Sequence, residues 1–215
     1  MIAATGLVSL GVPGLVAAIC GVFGLLIGSF LNVVVWRVPR HESIVTPASH
    51  CPQCDRPIAA YDNVPVVSWV VLRGHCRSCD ASISARYPLV ELLTGVLFAA
   101  VGARFHDSWV LPAYLVFTAG LIALSLIDLD HFLLPNPVLY PTGCIAVPLL
   151  FLGALVEGDL DDFVRALLAG VVAFAVFYVI HFISPRGMGF GDVRLSFLLG
   201  VFLGYLSWWH LATLA

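Results

Sequence analysis

From Gly6 to Trp36 the sequence contains no charged side chain. A helix crosses the hydrocarbon of a bilayer in about 20 residues, so this run is long enough to span it with tilt. Further apolar runs extend from about Pro88 to Ala103, Trp109 to Ile127, Pro137 to Val156 and Phe163 to Ile183. A last one, "LSFLLGVFLGYLSWWHLATLA", covers residues 195–215. The second run is short, but Tyr87 and Phe105 stand at its ends as interfacial aromatics. Composition agrees: 60% of the 215 residues are hydrophobic and 11% charged, where a soluble domain carries roughly 25% charged. The expectation is an all-α polytopic membrane protein with about six transmembrane helices. Residues 1–36 form the first helix, 37–87 a polar insert, and 88–215 the remaining helices. The start of the chain does not read as a cleavable signal peptide: it has no basic n-region and its apolar run is too long.

Six crossings put both termini on one side. Arg37, Arg40, Arg56, Arg73, Arg77 and Arg86 lie between the first two runs, and Arg186 and Arg194 flank the last connection. Arg104 and Arg165 fall on the opposite side. The positive-inside bias makes the insert cytoplasmic and turns both termini outward. A net charge of −3 argues against a nucleic-acid surface.

The insert carries Cys51, Cys54, Cys76 and Cys79 as two C-x2-C knuckles. Four thiolates complete a closed tetrahedral zinc shell with no open position for water, so the ion is expected to be structural. A reducing cytoplasm favours metal over disulfides. The stretch has too few large apolar residues for its own core, and a metal supplies the missing folding energy. His50 and His75 read as polar decoration, Cys20 and Cys144 as small packed hydrophobes.

Two acidic residues stand at membrane edges. Asp128 follows an apolar run, and Asp192 precedes one, beside Gly187, Gly189 and Gly191. The topology puts both at one cytoplasmic depth, where carboxylates are costly and functional. Two carboxylates that share a site hold one proton between them and activate a water against a peptide carbonyl. The residues alone leave open a capping role for each, or an Asp192–Arg194 pair. Proton relay in a transporter is the alternative, without an internal repeat to favour it. Asp130 and His131 read as solvent-facing.

The segments "GSFLNVVVWRVPR", "DNVPVVSWVVLRGHCRSC", "ISARYPLVE", "IDLDHFLLPN" and "GMGFGDVRL", in that order with the knuckles, resemble the bacterial type IV prepilin peptidases, membrane aspartyl proteases with a GxGD motif. The resemblance implies that Asp128 and Asp192 are the catalytic pair. It implies cleavage of prepilin or pseudopilin leaders, for pilus or type II secretion systems, at the cytoplasmic face of the inner membrane. It also implies N-methylation of the new terminus with S-adenosylmethionine, for which no residues are assigned. Asn136 stands where many members have aspartate, and Arg194 where many have lysine. Ser29 and Asn32 either line the site or bond between helices. Glu91 either pairs with an arginine or shapes the substrate path.

Overall fold

A computed structural model describes residues 3–184 and 187–207. They form seven α-helices: α1 Ala3–Arg37, α2 Val67–Val71, α3 Arg86–Arg104, α4 Leu111–His131, α5 Asn136–Glu157, α6 Leu160–Ile183 and α7 Phe190–Leu206. Five of them, α1 and α3 to α6, are long and apolar enough to cross a membrane. The expected sixth crossing falls on α7, whose 17 described residues end before the part of that run lying outside the described residues. No strand occurs among the described residues; two isolated bridges sit in the insert.

Local sequence accounts for the helix ends. Pro112 and Pro137 stand at the second positions of α4 and α5, where a missing N–H costs nothing. Gly158 closes α5 at φ 83°, a conformation glycine adopts without penalty. Exposed Leu15, Ile19 and Val22 on α1, and Val171 and Val176 on α6, present the apolar surface that lipid requires.

The chain divides into two compact units. The first runs to His106 and includes Leu121–Leu126. Here α1 packs on α3 through small residues. A Cβ on Gly24 would lie 2.7 Å from the Phe98 Cβ, and one on Gly28 would lie 2.7 Å from the Glu91 Cα. Cys20 is buried against Gly102, as expected of a small hydrophobe. Such backbone proximity is how helices associate in lipid, where burial from water supplies no drive.

The second unit comprises Asp107–Gly120 and the residues from Ile127 onward. A Cβ on Gly200 of α7 would meet the Ala169 carbonyl, the Ala173 Cβ and the Gly170 Cα, each at 2.8 Å. Phe202 is fully buried, stacked on Phe117 with centroids 4.1 Å apart. Its carbonyl accepts the Tyr114 hydroxyl at 2.8 Å. Arg165 donates to the carbonyls of Gly204 and Tyr205 at 2.9 and 2.6 Å, closing the C-terminal end of α7. Cys144 differs from expectation: it is exposed on α5, where it lines a cavity with residues of α6 and α7.

Candidate active site and metal centre

In the insert, one local pattern is built twice. The Cys51 amide donates to the Arg56 carbonyl, and the Asp55 amide donates back to Cys51. Twenty-five positions on, Cys76, Ala81 and Asp80 repeat both bonds. Asp55 and Asp80 take positive φ, 57° and 58°, so each knuckle turns sharply enough to aim two sulfurs at one point. The four Sγ atoms lie within 4.8 Å of one another, with Cys51 and Cys79 3.8 Å apart. A tetrahedral shell with metal–sulfur bonds of about 2.3 Å has sulfur–sulfur edges of about 3.8 Å. The quartet therefore fits a metal ion, and all four cysteines are free of disulfides. The amides of Gln53 and Cys54 bring the Cys51 thiol down to about 6, while burial and the other three sulfurs push the Cys79 thiol up to about 12. His50 and His75 turn away, their Nδ1 atoms against the carbonyls of Ala48 and Arg73.

Polar clamps complete the insert. Arg77 holds Asp62 through three N–H···O bonds of 2.6, 2.8 and 3.2 Å. They hold the Asp62 carboxyl below the usual carboxylate range. Trp69 Nε1 donates to the Ile83 carbonyl at 3.0 Å. Within 41–87 the buried residues are Cys51, Pro65, Ser68 and Gly74, none a large apolar side chain.

Glu91, left between two roles by the sequence, pairs with no arginine in the described residues. One oxygen accepts the Val66 amide at 2.7 Å, and Ser29 donates its hydroxyl to the same carboxylate. Val66 has φ 62° and ψ −50°, and the Val67 amide reaches the Pro65 carbonyl at 2.6 Å. That is a γ-turn of the strained kind, rare for a β-branched residue. Asn32 donates to the Tyr87 carbonyl at 3.2 Å. Both Ser29 and Asn32 thus bond from α1 to α3.

The two acidic positions of interest lie in the second unit. Asp128 is exposed in the last turn of α4, which ends at Phe132 in the left-handed region. Asp192 is half-buried in the first turn of α7, its Oδ2 accepting the Gly189 amide at 3.1 Å. The stretch that follows α4 and opens α5 touches the start of α7. A Cβ on Gly191 would lie 2.9 Å from the Leu134 Cβ. Arg194 donates to Asn136 Oδ1 at 2.6 Å. So Arg194 bonds Asn136 and not Asp192, and Asp192 caps its helix with one oxygen, leaving Oδ1 for other work. The two departures from the family pattern are bonded to each other. Asp130 and His131 are exposed.

The family described as "Bacterial Peptidase A24 N-terminal domain" matches residues 22–105, and "Type IV leader peptidase family" matches 115–215. Curated relatives carry the name prepilin leader peptidase/N-methyltransferase. The Myxococcus xanthus protein is 43% identical over 85% of this chain and 54% of its own length. Those of Stutzerimonas stutzeri and Aeromonas hydrophila are both 38% identical, over 86% and 91% of this chain and 72% and 76% of theirs. The chain belongs to the type IV leader peptidase family. It spans about half the length of the Myxococcus relative and about three quarters of the other two. No solved structure matches. Membership in this family leaves the transporter reading without support.

Proposed function

We propose that this leader peptidase family member cleaves the leader of type IV prepilins or pseudopilins with Asp128 and Asp192. What carries the reading is that the stretch just after the Asp128 helix end touches the start of the Asp192 helix, Leu134 at Gly191 and Asn136 at Arg194. One aspartate of the pair takes a proton from water as the water oxygen attacks the scissile carbonyl, and the other gives the shared proton to the carbonyl oxygen. The C–N bond then breaks, and the leaving amine takes a proton from the pair. Asp128→Asn and Asp192→Asn are each expected to lower leader cleavage by roughly 10²–10⁴-fold, with normal expression. Full cleavage by both variants would refute the dyad.

The remaining assignments follow the same reading. Residues 1–36, 37–87 and 88–215 serve as first crossing, cytoplasmic zinc insert and peptidase core, in a multi-pass inner-membrane protein whose termini face outward. Zinc held by Cys51, Cys54, Cys76 and Cys79 keeps the insert folded, since a four-thiolate shell leaves no position for water. The names of the relatives extend the reading to N-methylation, with S-adenosylmethionine supplying an electrophilic methyl group. The new terminal amine bonds that carbon as its bond to sulfur breaks, and a proton passes to water. Mass spectrometry of the mature terminus checks it: an unmodified amine with donor present would leave a peptidase alone.

A further inference from the structure

A groove of about 300 Å³ lies between α1 and the insert, within the first unit, at the small end of the range for ligand sites. One wall is a single helical stripe, Leu26, Ser29, Phe30, Val33 and Arg37. The other is the strap from Ile44 to Ser49, with Asn63 and Pro65 beside it.

Arg37 is the feature that needs an explanation. It is 8% exposed, and its guanidinium donates to the carbonyls of Ser43 and Pro47 at 2.8 Å each. Both acceptors are neutral. No carboxylate pairs with it among the described residues. A buried cation that has lost its water and gained no anion is costly. Three of its five N–H groups remain for a ligand. About 12 Å away along α1, at about 1.5 Å per residue, Ser29 gives its hydrogen to Glu91, so its oxygen is left as an acceptor. Between them Phe30 is 48% exposed and offers a flat apolar face. A ligand matched to this wall has a carboxylate at one end and a planar ring.

We propose that this groove binds the methyl donor, the carboxylate of S-adenosylmethionine on Arg37 and its adenine against Phe30. The proposal rests on the N-methyltransferase reading above. In the orientation proposed there, the groove opens at the cytosolic end of α1, where a water-soluble donor arrives.

S-adenosylhomocysteine titrated calorimetrically into the full-length, zinc-loaded protein in nanodiscs is the test. Saturable binding is expected, with Ala48→Trp, which fills the groove from an exposed position, and Arg37→Gln each weakening it at least tenfold. Zinc content and leader cleavage should stay unchanged in Ala48→Trp, showing that it folds. Unchanged affinity in Ala48→Trp overturns the site, even if Arg37→Gln binds poorly, because the strap and not the groove would then matter. Wild type that binds no homologue overturns it too. A mature terminus left unmethylated defeats the underlying reading, so the two failures are read in different assays.

Discussion

The cysteine insert and the α6–α7 pair meet the same shortage in different ways. In neither does withdrawing large apolar side chains from water supply the hold. The insert buries no large apolar side chain between residues 41 and 87, and relies on four sulfurs, an Arg77–Asp62 clamp and a Trp69 hydrogen bond. The helix pair is rich in apolar groups, but lipid competes for them equally, so Gly170 and Gly200 bring backbones into contact instead. The lesson is that solvent decides which interaction is scarce. In water the small segment lacks area; in lipid the helices lack a reason to hide it.

The contrast breaks most visibly if the metal is removed. Chelation, or Cys51→Ser, should unfold the insert while helical circular dichroism persists, because metal binding in small sites amounts to roughly 10–16 kcal/mol. Elemental analysis should then fall from about one zinc per chain to none. Loss of helix content in step with zinc would show that the two regions are not separate. Next in size is Gly200→Leu, which forces a side chain into backbone 2.8 Å away. It should cost about 1–3 kcal/mol or more in detergent unfolding, with zinc retained. Trp69→Phe removes one hydrogen bond from the insert and should cost about 1 kcal/mol, read as faster zinc loss to a chelator. The smallest effect is pH-dependent. Asp62 is held below its unfolded value by Arg77, so the clamp contributes fully above about pH 4. It weakens as pH falls through the folded value. Arg77→Ala should abolish that acid-dependent change in zinc retention, and an identical acid profile in both proteins would remove the clamp from the account.

Much of this architecture could be read from residue order. The uncharged apolar runs marked the membrane-crossing helices, and the knuckle spacing predicted four convergent sulfurs. What escaped was every pairing between distant segments. Ser29 and Glu91 were each noticed, yet nothing local says that they meet. Val66 adopts a backbone that residue preferences assign to glycine, because the Glu91 carboxylate holds its amide from another helix. Arg37 looked like a membrane-flanking cation and is buried under the strap. The neighbouring Asp192 and Arg194 suggested an ion pair, but their helix turns the arginine to Asn136. α2 is one short turn, too brief for any periodic signal.

The touching of α1 and α3 at Gly28 and Glu91 has one more implication. Because these antiparallel helices meet backbone to backbone beside the points where the insert leaves and returns, its two ends emerge as neighbours. A segment with adjacent ends behaves as a cassette: evolution or an engineer can lengthen, trim or exchange it without shearing the helices beneath.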